Sequence, residues 1–151
     1  MDTNETIKRA KSPDTLPAEL AGLSLDKRFG VRQQVAANPN TPVDTLVALA
    51  NEGAIQVCEY VAGNPNLPLK MLRKLSRDSR VLVRAAVARN PSSDRKILQR
   101  LSKDKSAVVR AAVARNPHTE TLTVARIVSD PDPKTGTVAL KCLRERLTDL
   151  K

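Results

Sequence analysis

The sequence predicts an all-α fold, a solenoid of short helix pairs, on the strength of three observations. Asn-Pro recurs at Asn38-Pro39, Asn64-Pro65, Asn90-Pro91 and Asn116-Pro117, each 26 residues after the last. Within each period the apolar residues fall at helical spacing, as in Leu72/Leu75 and Val83/Ala86/Val87. The apolar fraction, 40% of 151 residues, is nearly all aliphatic, with no Trp and only Phe29 and Tyr60 as aromatics. A core of Leu, Val and Ala suits closely packed helices better than sheets, which lean on aromatic and β-branched residues. The length suits one domain. Residues 1–151 are therefore expected to be a single helical-repeat domain, with about five repeats over about 14–130.

The first helix of each unit follows a polar or proline start and runs through Leu-x-x-Leu, as in PLKMLRKLSRD. Its leucines recur at Leu20, Leu46, Leu72 and Leu98, then Val124, and at Leu23, Leu49, Leu75 and Leu101, then Ile127. A spacing of three fits an α-helix or a short 3₁₀ helix, and both remain open here. An acid follows at Asp26, Glu52, Asp78, Asp104 and Asp130. Asp78 and Asp104 stand where an N-cap belongs, accepting the free N–H groups of a second helix over roughly 79–89 and 105–115. That helix reads VRQQVAA, VCEYVAG and twice VRAAVAR before Asn-Pro. Asn-Pro ends it, because the residue before proline is pushed out of the α region. Two short helices cannot bury an apolar face alone, and stacking gives them one continuous core.

At the ends, Ser12-Pro13 stands one period before Asn38-Pro39, so a degenerate repeat opens the chain, and residues 1–12 are expected to fray in part. After Ile127 the register is expected to dissolve into a turn-rich connector, SDPDPKTG. A capping helix then follows over about 136–150, with Val138, Leu140, Leu143 and Leu147 near helical spacing.

Together these units resemble the leucine-rich repeat variant family, bacterial relatives of HEAT repeats, through the string Asp-x5-Arg-x2-Val-Ala-x-Asn-Pro. The resemblance spans about residues 14–130 and implies a right-handed superhelix in which α-helices alternate with a second, sometimes 3₁₀, helix. Members of that family can carry an N-terminal cysteine cluster for an iron–sulfur centre. No cysteine precedes Cys58 here, so no cofactor is expected. The likeness to HEAT repeats further implies a structural ladder pairing Asp26 with Arg32, Asp78 with Arg84 and Asp104 with Arg110, with Glu52 facing Cys58 where the arginine is lost.

The remaining positive charge is uneven. Residues 1–75 hold 9 Lys+Arg and 8 Asp+Glu, whereas residues 76–151 hold 17 and 8. These cations obey the repeat: Lys70 and Lys96 are equivalent, as are Lys74, Arg100 and Arg126, Arg77 and Lys103, and Arg89 and Arg115. Equivalent positions on stacked helices lie roughly 8–10 Å apart, which makes rows of cations. Arg89 and Arg115 sit beside Ala85 and Ala111 on the helical wheel, where small side chains leave a low surface for a ligand. The plainer reading of the same rows is a solvated face with no partner.

Catalytic patterns are missing from the sequence. His118 is the only histidine and lies in a loop after Asn-Pro. No G-x-S-x-G elbow, phosphate loop or dinucleotide fingerprint occurs. The acids are spread one per repeat rather than paired for acid–base work. Two cysteines, Cys58 and Cys142, make neither a disulfide framework nor a four-ligand zinc site. The start MDTNETIKRAKSPD has no apolar stretch and nothing approaches a membrane span, so a cytoplasmic protein is expected. The expected function is a non-enzymatic scaffold mediating protein–protein interaction through a basic C-terminal surface of Lys70, Lys74, Arg77, Arg89, Lys96, Arg100, Lys103 and Arg115. The alternative is sequence-nonspecific contact with a nucleic-acid phosphate backbone. No small-molecule substrate and no metal are expected.

Overall fold

Aliphatic residues at helical spacing, with a proline closing each pair, produce eleven α-helices and no strand among the described residues. The structure is a computed structural model and describes residues 2–52 and 54–148. In chain order the helices are α1 (Thr3–Lys11), α2 (Pro17–Leu23), α3 (Phe29–Ala37), α4 (Val43–Ala50), α5 (Ile55–Gly63), α6 (Leu69–Leu75), α7 (Val81–Arg89), α8 (Arg95–Leu101), α9 (Ala107–Arg115), α10 (Thr121–Ile127) and α11 (Pro133–Thr148). The even-numbered helices are the Leu-x-x-Leu segments, and all are α rather than 3₁₀. The odd-numbered helices from α1 to α9 are nine residues long and start 26 residues apart.

The chain divides into two compact units, Met1–Met71 and Leu72–Lys151. In the first, α3 packs between α1 and α5, α2 lies against α3, and α4 touches α3 and α5. In the second, α9 lies between α7 and α11, α8 contacts α7 and α9, and α10 contacts α9 and α11. Within each unit the odd helices thus form a row and the even helices fill in beside it. Valines and alanines line the row because small side chains let neighbouring helices approach closely. Val31, Val35, Val57 and Val61 are fully buried in the first unit, and Val83, Val87, Val109 and Val113 in the second. Leucines Leu20, Leu46, Leu72 and Leu98 seal the even side. Each such side chain stabilises the fold by about 1.5–3 kcal/mol.

Asn-Pro does more than end a helix. Each asparagine is extended at the C-cap, as the following proline requires. Its side chain is thereby freed to reach the preceding repeat. The Nδ2 of Asn38 donates to the Ala10 and Ser12 carbonyls at 2.9 and 2.8 Å. Asn64 does the same to Ala36 and Asn38, at 2.8 and 3.0 Å. Asn116 donates to Ala88 and Asn90, at 2.7 and 3.0 Å. On the other side the amide oxygen accepts the N–H two residues on, from Asn40, Asn66, Ser92 and His118. A carboxamide offers both donors and acceptor at once. At the end of the stack no asparagine follows Asn116 by one period, and Arg146 takes over. Its guanidinium donates to the Asn116 carbonyl at 2.7 Å, to the Ala114 carbonyl at 3.5 Å, and to the Thr119 carbonyl.

Several sequence expectations are corrected. Asp78 and Asp104 are not N-caps of the second helix: α7 and α9 start at Val81 and Ala107, two residues later than expected. Each acid instead accepts the N–H of the residue two on, Arg80 or Ser106, at 2.9 Å, which closes the turn before the helix. The polar residues 3–11 form α1, with Thr6 and Ala10 buried. Nor does the register dissolve after Ile127. Pro133 begins α11 exactly one period after Ala107, since proline is tolerated at a first helical position. Asp132 caps this helix by accepting the Thr135 N–H at 2.8 Å. The buried line of α11 is Thr135, Gly136 and Ala139; Val138, Leu140 and Leu143 are half-buried, and Leu147 is exposed. Residues 149 and 150 of the expected cap helix lie outside the described residues.

Removing the amide in Asn116→Ala takes away the donor to the buried Ala88 carbonyl and leaves the Asn90 carbonyl with the Ser93 N–H alone, at about 1–3 kcal/mol for the unmet group. Urea denaturation should therefore show a loss of about 1–3 kcal/mol, and Asn116→Asp, which cannot donate, should be no better. A Cβ at Gly136 would stand 2.8 Å from the Val128 carbonyl oxygen, whereas one at Gly30 would meet nothing within 4 Å. Gly136→Ala is expected to lower the melting temperature and Gly30→Ala to raise it, the latter by about 0.5–1 kcal/mol of helix stability.

Candidate functional site

The charged residues separate into an internal ladder and an external set of rows. In the ladder each arginine ties its own unit to the next. Arg84 donates to the Asp78 carbonyl at 2.8 Å and grips the Asp104 carboxylate through two bonds of 2.7 and 2.9 Å. Arg110 repeats this on the Asp104 carbonyl and the Asp130 carboxylate, and Arg32 on the Asp26 carbonyl and the Glu52 carboxylate. The expected pairs Asp26/Arg32, Asp78/Arg84 and Asp104/Arg110 therefore meet through the acid's backbone. The charge pairing goes to the acid twenty residues further on. The Arg84 and Asp104 side chains are only 6% and 9% exposed, so this rung is desolvated.

Where an arginine is missing, a second one compensates. Cys58 occupies the arginine position of its unit, and its thiol meets the Glu52 carbonyl at 3.0 Å. The acids that lack an arginine twenty residues earlier are Asp26, with Thr6 there, and Asp78, with Cys58 there. These same two acids have arginine two residues on. Arg28 holds Asp26 at 2.8 and 2.6 Å, and Arg80 holds Asp78 through two bonds of 2.8 Å. At Glu52, Asp104 and Asp130 that position is Ala54, Ser106 and Asp132. Every rung acid thus keeps a guanidinium.

The carboxyl groups respond accordingly. The Arg28 guanidinium holds Asp26 far below the usual carboxylate range, and Arg80 and Arg110 draw Asp78 and Asp130 down. Burial pushes Asp104 up, but Arg84 and the Ser106 N–H overcome it and leave the group below its ordinary value.

The rows lie elsewhere. Lys70, Lys74, Arg77, Arg89, Lys96, Arg100, Lys103 and Arg115 are all exposed. Lys70 belongs to the first unit and Lys74 lines none of the grooves described below; in the second unit the structure gathers the other six into two groups. Arg77 and Arg100 line a groove of about 510 Å3 with Lys105, and Lys96 and Lys103 continue past Arg100 along a neighbouring one. Arg126 joins Lys103 one repeat further on. Arg89 and Arg115 form a separate groove of about 360 Å3 with Val108, Ala111 and Lys134. Ala85, expected to be an open floor beside Arg89, is fully buried, and only Ala111 is partly accessible. Lys105 and Lys134 do not belong to a repeating row, which is why the sequence pattern passes over them.

A repeated helix pair and an internal polar ladder define a helical-repeat protein. The family described as leucine rich repeat variant matches residues 29–51, the segment that holds α3, Asn38-Pro39 and α4. Among solved structures the chain is similar to one described as a leucine-rich repeat variant with a novel repetitive protein structural motif. Identity is 21% and the TM-score 0.44, over 93% of this chain and 67% of that one. No curated protein matches the chain. The resemblance carried by the repeat string is thus met in the matched repeat. Among the described residues no helix is long and apolar enough to cross a membrane.

Asp104→Ala would leave Arg84 buried without its partner and should cost about 3 kcal/mol, the lower end for breaking a buried pair. Because Asp26, Asp78, Asp104 and Asp130 are depressed in the folded state, their stabilisation is present above the ordinary Asp value of about 3.9. It is lost as pH falls through the lower folded values. Urea midpoints should stay level from neutral pH to about 4 and then drop, and Asp104→Asn should flatten that drop.

Proposed function

We propose that the chain is a non-enzymatic scaffold, working in the cytoplasm, which docks an acidic segment of a protein partner on the basic surface of its second unit. The observation that carries this reading is where the charge goes. Residues 72–151 hold 19 Lys+Arg and 8 Asp+Glu, against 7 and 8 in residues 1–71. The arginines of the second unit's rungs are neutralised internally, so the excess lies outside the rungs, on the rows and on cations such as Lys105 and Lys134. Arg77, Lys103 and Arg115 have no ion pair among the described residues. Charge of one sign on an open groove steers and selects a partner of the opposite sign.

The surface is also partly apolar. Leu82 and Val108 are 49% and 55% exposed and recur one period apart, and Val108 lines the groove of Arg89 and Arg115. Cations beside aliphatic side chains suit an acidic segment with apolar residues of its own. A phosphate backbone would use the charge alone, and the second unit has no aromatic side chain to stack a base, Phe29 and Tyr60 both lying in the first. The rung acids Asp26, Glu52, Asp78, Asp104 and Asp130 are each held by an arginine rather than paired with one another for acid–base chemistry.

Fluorescence anisotropy of a labelled peptide rich in Glu and Leu, run beside a labelled duplex of about 20 base pairs at two salt concentrations, tests the reading. The peptide is expected to bind and to lose about tenfold in affinity with Arg89→Glu plus Arg115→Glu, a change of ~1.4 kcal/mol. Tighter binding of the duplex with a steep salt dependence would transfer the surface to nucleic acid.

A further inference from the structure

The groove beside the turns that lead into α7 and α9 gathers positive charge that the ladder does not consume. Arg77, Arg100 and Lys105 line it together with Ser79. Asp78 and Asp104 face it too, but each carboxylate is already held by a guanidinium, Asp78 by Arg80 at 2.8 Å and Asp104 by Arg84 at 2.7 Å. The three other cations have no carboxylate of their own among the described residues. Arg77 makes a 3.4 Å bond to the Arg73 carbonyl, and Arg100 donates to the Ser76 carbonyl. The Arg100 guanidinium is drawn below its ordinary pKa, first by burial and then by Arg77, against the opposing pull of Asp104, whose carboxylate Arg84 already holds.

We propose that this groove binds a phosphoryl dianion, carried as phosphoserine or phosphothreonine on the acidic segment of the partner, a proposal that rests on the docking reading above. Two guanidinium forks and an ammonium around one opening match a group with nearly two charges and three acceptor oxygens. A carboxylate brings one charge and two oxygens. The repeat supplies a second, weaker copy: Lys103 and Arg126, one period after Arg77 and Arg100, line the next groove with Ser102, where Pro131 stands in place of Lys105. A continuous phosphodiester fits less well, because the rung acids return once per repeat between these cations. A localised dianion meets only one opening.

The test follows the arginine side-chain N–H resonances of the full chain during titration with N-acetyl-phosphoserine amide, and separately with N-acetyl-glutamate amide. The expected result is a saturable shift of Arg77 and Arg100, with about tenfold preference for the phosphorylated probe. Arg77→Gln and Lys105→Gln, which touch no rung, should each weaken it several-fold, while Arg115→Glu leaves it unchanged. Equal response to the glutamate probe, or shifts spread over all exposed arginines, would overturn the proposal. So would displacement of the phosphorylated probe by a duplex that binds these arginines more tightly. If the Glu/Leu peptide binds through Arg115 while phosphoserine shows no preference, only the phosphoryl site fails. If phosphoserine saturates the groove while that peptide does not bind, the docking surface fails and the site stands.

Discussion

A nine-residue helix that ends at a proline leaves its last carbonyls without helical partners. In an isolated helix water would take them. In a row of packed helices they are covered by the neighbour, and an unmet buried carbonyl costs about 1–3 kcal/mol. The asparagine before each proline resolves this within a single side chain. Its two N–H groups reach the carbonyls 28 and 26 residues earlier, and its oxygen fixes the turn that follows. The period is thereby locked: one inserted residue between rungs would move the carboxamide away from both acceptors. No buried side-chain N or O atom among the described residues lacks a partner.

The arginine ladder works on the opposite edge of the same units and depends on that register. Arginine can serve because its fork is planar, placing two N–H groups on the next carboxylate while a third reaches the carbonyl of its own turn. The substitution pattern obeys a local charge rule. Where Thr6 or Cys58 removes the arginine, Arg28 or Arg80 restores a guanidinium to the acid from two residues away. A deletion in one unit is offset in the next without disturbing the helices.

The functional consequence is a separation of charge. Rung arginines and acids cancel inside the repeat, so whatever charge a unit carries beyond them is displayed outward. The second unit carries a large excess, and stacking repeats that excess at each equivalent position. A solenoid binds in this manner because copying one surface residue copies its row. The grooves between turns then set which cations act together.

The sequence alone determined the features that depend on neighbours along the chain: the period, the two helices per unit, the valine and leucine faces, and the break at Asn-Pro. These follow from helical spacing and from proline's restriction on the residue before it, both local. It also marked the rung residues Asp78, Arg84, Asp104 and Arg110, but tertiary structure decided which acid each arginine grips, because the partner twenty residues away is reached only once units stack. The same holds for the asparagine amides, for Arg146 standing in for a missing asparagine, and for the burial of Ala85. The rows Arg77/Lys103 and Arg89/Arg115 were legible as rows. Their division between separate grooves, and the recruitment of Lys105 and Lys134, came from the packing of turns against helices, since side chains far apart in the repeat pattern become neighbours only across that packing.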